Sequence, residues 1–143
     1  MARVEFSGID ELSLSLKEVA ELPDEVIDAM LDARADVVVA AQRESAQRML
    51  VGPYAKGDTA RSIKKGKPKL RDGHRVVYVT PTGSRKRGGA KAVRNAEIAY
   101  ENEYGKKGVP ARNFIRTANE TCADAAVAAE YEVYNRFLTE KGL

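Results

Sequence analysis

Two long helical patterns, separated by a segment with a different period, most constrain the fold of this chain. Apolar residues recur every three or four positions from about residue 23 to 50 and again from about residue 112 to 139. At ~1.5 Å per residue, the first pattern alone predicts a helix about 42 Å long. Such a helix must lie across the whole molecule or project from it. From the chain length we predict a single domain over residues 1–143. A shorter amphipathic pattern predicts a further helix at about residues 9–20.

The segment between the long patterns carries the signals of β-structure. Residues 75–80 are β-branched and aromatic, which predicts a strand. Alternation over residues 96–104 predicts a second strand, and residues 63–70 predict a third, with Asp72-Gly73 as a tight hairpin turn. These signals place a β region at about residues 63–104. The expected fold is α+β, with a small antiparallel sheet of three to four strands packed against two long helices and a short N-terminal helix.

Positive charge is concentrated in the same region. Residues 61–94 contain 12 lysines and arginines and one acidic residue, Asp72, although the net charge of the whole chain is only +3. The Gly-rich residues 81–95 have no apolar periodicity and predict a mobile basic hairpin tip. Such a surface suits an electronegative partner, either nucleic acid or an acidic protein face, and the alternative is a solvated face without a partner. The residues expected to contact the partner are Arg85, Lys86, Arg87, Lys91 and Arg94.

Few residues have catalytic or metal-binding potential. Cys122 and His74 are the only cysteine and histidine, and together they match no recognised zinc-ligand spacing. Cys122 lies on the apolar stripe of the second long helix, where a small buried side chain is expected. We expect no enzyme activity, no cofactor and no metal. One acidic row in the predicted strand 96–104 is expected to pair with neighbouring basic residues, with acid/base chemistry as the alternative: Glu97, Glu101 and Glu103.

Membrane and secretory signals are also missing from the sequence. No stretch approaches the ~18 consecutive apolar residues that a spanning helix requires. The first residues carry acidic side chains and lack the uninterrupted apolar run of a secretory signal. We therefore expect synthesis in the cytoplasm and no membrane partner.

Short motifs of structural residues flank the β region. Gly8-Ile9-Asp10-Glu11-Leu12 lies near the start of the chain, and Gly-Asp-Thr-Ala-Arg-Ser-Ile at residues 57–63 leads into the first strand. Glu-Tyr-Gly at residues 103–105 precedes Phe-Ile at residues 114–115, where the last helix begins. Glycine suits a positive φ, and the apolar residues are expected to anchor the chain in the core. The motif residues to which we assign structural roles are Gly57, Arg61, Ser62, Ile63, Glu103, Tyr104, Gly105, Phe114 and Ile115.

In order and spacing, these motifs and the turn at Pro53 resemble the gene-ten-like tail-completion or head–tail joining proteins of long-tailed phages. Thr59 stands where that family usually has Leu, and Asn113 where it usually has Pro. The resemblance implies a structural virion protein, made in the host cytoplasm, that forms a ring in the neck between connector and tail tube. The implied partners are further copies of the chain, with a hexamer expected, the neighbouring neck, connector and tail proteins, and DNA in the channel.

A second function follows from charge alone. The basic segment 61–94 is also typical of a protein that binds nucleic acid without sequence specificity. That alternative predicts an affinity that falls steeply with salt, because phosphate contacts release counterions.

Overall fold

The computed structural model describes residues 22–52, 55–86 and 91–142. Within these ranges the elements are α1 (Asp24–Met49), α2 (Asp58–Ser62), β1 (Ile63–Lys65), β2 (Lys69–Arg71), β3 (His74–Val76), β4 (Val79–Pro81), β5 (Ser84–Lys86), β6 (Ala92–Arg94), α3 (Asn95–Tyr104) and α4 (Phe114–Glu140). The α+β class with long helices is confirmed. The helix expected at about residues 9–20 and the motif at residues 8–12 lie outside the described residues, as does the turn at Pro53.

The first long helix begins and ends close to the predicted boundaries. Pro23 precedes its first turn with a φ of −59, and the acidic Asp24 and Glu25 lie where the helix dipole favours negative charge. The helix ends at Met49, within one residue of the predicted limit.

α1 and α4 pack along each other through a face of small residues. Gln42 Nε2 donates a hydrogen bond to Asn119 Oδ1 across this contact, at 3.0 Å. Small side chains allow two helix axes to approach closely. The prediction that Cys122 is a small buried residue is confirmed, and Ala126 on the same helix is buried as well. The buried residues on the two helices include Ala35, Gln42, Ala46, Ala118, Cys122 and Ala126.

The first four strands form one long β-hairpin, which we call the long hairpin (residues 63–81). β1 pairs antiparallel with β4, and β2 pairs antiparallel with β3. Between the two ladders, residues 66–68 on one arm face residues 77–78 on the other, so one arm has an extra residue, as in a β-bulge. The predicted strand 75–80 is therefore interrupted at residues 77–78, because its two halves pair with different partners. The predicted turn is confirmed, since Asp72 and Gly73 both have positive φ, 50 and 80.

A second hairpin follows, in which β5 pairs with β6. Over the described parts of the chain the strands form three two-stranded ladders rather than one sheet of three to four strands. The residues after β4 explain the break between β4 and β5. The carbonyl oxygen of Gly83 accepts a hydrogen bond from the Asn95 backbone N–H, and that of Thr82 accepts one from Asn95 Nδ2, so neither pairs with a third strand.

The prediction of a strand at residues 96–104 is wrong, because these residues belong to helix α3. The buried residues of α3 are Asn95, Ile98, Ala99 and Glu103, which recur at three- and four-residue steps. Alternation of Glu with apolar residues concealed this period in the sequence. Glu97, Glu101 and Glu103 consequently do not form the row that a strand would have given.

The hydrophobic core lies where α1, α2, β1, α3 and α4 meet. We call its central cluster the packed end: Ala46, Ala60, Ile63, Ala99 and Phe114, all buried. Ile63 and Phe114 are 0% exposed, and Ser45 Oγ donates a hydrogen bond to the Phe114 carbonyl oxygen at 2.7 Å. None of the helices described is long and apolar enough to cross a membrane.

Candidate functional site

The cations of residues 61–94 divide into two groups. Five of the 12 lysines and arginines form ion pairs with carboxylates: Arg61, Lys65, Arg75, Arg85 and Arg94. Six others, all exposed, form no ion pair with a carboxylate in the described part of the chain: Lys64, Lys67, Lys69, Arg71, Lys86 and Lys91. Arg87 lies outside the described residues. The high positive charge seen in the sequence is therefore only partly available to a partner.

The acidic face of α1 holds the long hairpin. Lys65 Nζ lies 2.8 Å from Asp36 Oδ1 and 3.7 Å from Asp32 Oδ1. Arg75 makes two hydrogen bonds to Asp28, at 2.9 Å and 2.6 Å. The hydrogen bond with Asp36 raises the pKa of Lys65, and the hydrogen bond with Asp28 raises the pKa of Arg75. These ion pairs hold one face of the hairpin towards α1.

We define the distal hairpin as β2, the turn and β3 (residues 69–76). One of its faces is turned towards α1 through Arg75, and the opposite face carries a separate group of cations. Lys69 and Arg71 are two residues apart on β2 and therefore share a face of the ladder. Lys69 Nζ lies 4.8 Å from the centroid of the Tyr78 ring, and Arg71 Cζ lies 5.5 Å from it. Arg71 also donates a hydrogen bond to the Tyr78 hydroxyl. Tyr78 thus positions two cations side by side, on the side away from Arg75 and α1.

The predicted basic tip is not a uniform contact surface. Arg85 is half-buried, donates a hydrogen bond to Thr59 Oγ1 at 3.0 Å, and lies 3.4 Å from Asp58 Oδ2. Arg94 pairs with Glu97 at 3.3 Å. Lys86 and Lys91 are exposed on β5 and beside β6. Lys86, Lys91 and Arg94 are all exposed, but of these three only the two lysines have no ion pair in the described structure, whereas Arg85 connects the second hairpin to α2.

The first motif builds the junction between α2 and β1. Gly57 has a φ of 76 immediately before α2, and Ser62 Oγ donates a hydrogen bond to the Thr59 carbonyl oxygen at 2.7 Å. Ile63 then enters the packed end. Arg61 pairs with Asp58, and its hydrogen bond holds the pKa of that carboxyl below its ordinary value of 3.8. Burial opposes that shift and Arg85 adds to it. The Thr59 hydroxyl accepts the hydrogen bond from Arg85.

The two halves of the second motif contact each other. The buried Glu103 carboxylate accepts hydrogen bonds from the backbone N–H groups of Ile115 and Arg116, at 2.7 Å and 3.0 Å. It thereby caps α4 in place of Asn113, whose side chain makes no capping bond and whose backbone is left-handed, with φ 48. Sequence reasoning assigned Glu103 to an acidic strand face; only its spacing with Asn95 and Ala99 could have indicated burial. Tyr104 is exposed, and its ring contacts that of Tyr100 in a tilted arrangement with the centroids 4.7 Å apart.

Gly105 confirms the expected positive φ, with a value of 79, although it ends a helix rather than a strand. A Cβ atom at this position would lie 2.8 Å from the Ala111 nitrogen and 2.9 Å from the Val109 oxygen. Only glycine therefore lets the chain return towards α4 at this distance. Phe114 and Ile115 anchor the start of α4, with Phe114 fully buried and Ile115 packed against the core cluster.

An open groove of about 1110 Å³ lies beside the packed end. Its floor includes the apolar Leu50, Ala60 and Ile98, and the cations Lys86 and Arg112 stand among its lining residues. Asp58, which pairs with Arg61 and Arg85, is the one carboxylate among the described residues that line it. No group of three or more His, Cys, Asp or Glu with metal-binding geometry exists among the described residues. His74 is exposed on β3, and the Cys122 thiol is buried on α4.

Comparisons with family models, with curated proteins and with solved structures find no match to this chain.

Proposed function

We propose that this chain is a structural virion protein, a tail-completion or head–tail joining subunit that forms a homo-oligomeric ring in the neck of a tailed phage. The observation that carries the proposal is the incomplete pairing of the strands. Each ladder of the described chain has only two strands, so every strand has a partner on one side only. Two-stranded ladders are marginal alone, and open edges readily accept a strand from another chain.

The second hairpin is the expected contact with a neighbouring subunit. Its base is fixed to α2 by Arg85, while Lys86 and Lys91 remain exposed without ion pairs in the described structure. The acidic α1 carries Asp24 and Glu25 at its exposed first turn, and these carboxylates form no described ion pair. A neighbouring copy in a ring would bring opposite charges together, which favours correct orientation and faster association.

The motifs that carry the resemblance support the same proposal. The motifs within the described residues have structural tasks in this chain: Gly57 and Ile63 deliver β1 into the core, and Glu103, Gly105 and Phe114 join α3 to α4. The residues are those of a rigid scaffold rather than of a reaction centre. A ring subunit in a virion needs this property, because its function is geometric.

A mass measurement on native complexes tests the proposal. The protein is measured alone and after mixing with the connector and tail-tube proteins encoded in the same genome. We expect a multimeric assembly, a hexamer by resemblance, at least in the mixture. The double variant K86S/K91S should fold normally and fail to assemble. The double variant R116S/R136S removes the same charge from exposed positions of α4 and should assemble as the wild type does.

Two results would contradict this function. A wild-type protein that remains monomeric with every connector and tail-tube partner would remove the ring. Assembly of K86S/K91S to the wild-type mass would show that the second hairpin is not the contact.

A further inference from the structure

The outer face of the distal hairpin, which carries Lys69 and Arg71 on the side away from α1, is a preorganised cationic surface. Lys69 and Arg71 project from alternate positions of β2, and their cross-strand partners on the same face are Val76 and His74. Residues two apart on a strand are about 7 Å apart. The Tyr78 ring lies against both cations and its hydroxyl accepts a hydrogen bond from Arg71, so the two long side chains are held on one side of the ladder. Less conformational freedom is then lost when an anion binds.

The charge of this face has no internal counterpart in the described structure. Asp72, at the turn, is the only acidic residue in the segment 61–94. In the nearest acidic element, α1, Asp28 pairs with Arg75 and Asp36 pairs with Lys65, both on the inner side of the long hairpin. Lys64 and Lys67 add further exposed charge to the same arm. A positive field therefore extends into solvent from the outer face.

Two features favour nucleic acid over an acidic protein surface as the occupant. A protein interface needs a desolvated apolar or aromatic centre and is depleted of charge there. On this face the aromatic candidate, Tyr78, is only 36% exposed and its ring is occupied by Lys69 and Arg71, while the exposed Leu70 points to the other face. Phosphate contacts, in contrast, need only lysine and arginine. A two-stranded β-ribbon also has the dimensions to enter a DNA major groove.

We propose that the outer face of the distal hairpin binds the phosphate backbone of nucleic acid without reading its sequence. This goes beyond the proposed ring, and it holds for the isolated protein as well as for an assembly. It assigns different partners to the two hairpins: a neighbouring chain to the second hairpin and phosphates to the distal one.

Binding to a mixed-sequence DNA duplex, measured by fluorescence anisotropy at several salt concentrations, tests this proposal on the full-length protein. For wild type we expect binding at about 50 mM salt that weakens as salt rises. The double variant K69Q/R71Q should bind more weakly. The negative slope of log K against log salt should become less steep by about 1.8, at about 0.9 for each lost phosphate contact. The swap K69R/R71K keeps both charges and should keep the slope.

The matched control is R116Q/R136Q, which removes the same charge from exposed positions of α4 and should leave the slope unchanged. Three outcomes overturn the proposal. The wild type could show no binding at about 50 mM salt, or both charge-removing double variants could reduce the steepness of the slope equally. In the third outcome, K69Q/R71Q binds DNA normally but has a different native mass from the wild type. The last outcome would make the outer face a protein contact. Failure of the ring is separate, because it is measured with neck partners and without DNA.

Discussion

The packed end and the distal hairpin lie at opposite ends of the same β-ribbon, yet they have opposite properties. Ile63, at the base of the long hairpin, is 0% exposed, whereas Leu70, farther along the same arm, is 64% exposed. At the base, buried polar groups such as Ser45 and Glu103 have hydrogen-bond partners in other elements. At the far end, all three residues of β2 are exposed, and Arg75 connects the ladder to α1.

This difference separates stability from recognition along one element. Apolar burial and satisfied polar groups stabilise the base, and their loss is felt by the whole fold. The far end makes few buried contacts, and regions of that kind open locally at low free energy. We therefore expect substitutions at the base to change the free energy of unfolding and substitutions at the far end to change binding.

The largest expected effect is that of Phe114→Ala. Removing a fully buried aromatic ring from the packed end should lower the free energy of unfolding by about 3–5 kcal/mol. The matched apolar substitution in the distal hairpin, Leu70→Ala, should change it by less than about 0.5 kcal/mol, because that side chain is already in contact with water. Urea denaturation followed by far-UV circular dichroism measures both. A cost for Leu70→Ala close to that for Phe114→Ala would remove the distinction between the two regions.

The sequence was informative wherever one physical signal dominated. The two long helices were predictable within a few residues because their apolar period continues over many turns. The turn at Asp72-Gly73 was predictable because few residue pairs adopt two successive positive φ values easily. The burial of Cys122 followed from its place on an apolar stripe.

Competing signals account for the errors. The apolar residues of the segment 96–104 fit both the two-residue period of a strand and the three- to four-residue period of a helix. Contacts with α4 and α2 favour the helix. The partners of Arg85 could not be read from the sequence either, since Thr59 and Asp58 approach it only through the packing of the second hairpin on α2. Charge composition counts cations; it does not show which of them are already neutralised.

A smaller effect is expected at Glu103, which sharpens the comparison between buried and exposed polar groups. Glu103→Ala leaves the N–H groups of Ile115 and Arg116 without their acceptor at the start of α4, and should lower the free energy of unfolding by about 1–3 kcal/mol. Glu101→Ala, in the same helix, removes only an exposed ion pair with Lys106 and should cost under about 1 kcal/mol. Hydrogen exchange at the first turn of α4 provides a local readout. Unchanged protection there in Glu103→Ala would contradict the capping role.

The smallest effect concerns Asp58, which connects the packed end to the second hairpin. The hydrogen bond from Arg61 lowers the pKa of Asp58 from its ordinary 3.8 in the folded protein. The unfolded chain therefore binds a proton at this site first as the pH falls. The contribution of Asp58 to stability should be complete at pH values above 3.8 and should be lost as the pH falls through the lowered folded value.

The difference in urea midpoint between wild type and Asp58→Asn measures this contribution directly. We expect a constant difference from about pH 5 to 7 that shrinks below pH 3.8. Asp72→Asn, at the exposed turn of the distal hairpin, is the matched control, because Asp72 has no ion pair in the described structure and asparagine tolerates the same positive φ. If Asp72→Asn showed the pH dependence and Asp58→Asn did not, the distal hairpin would be the electrostatically coupled region, and the second hairpin would be the one free to bind.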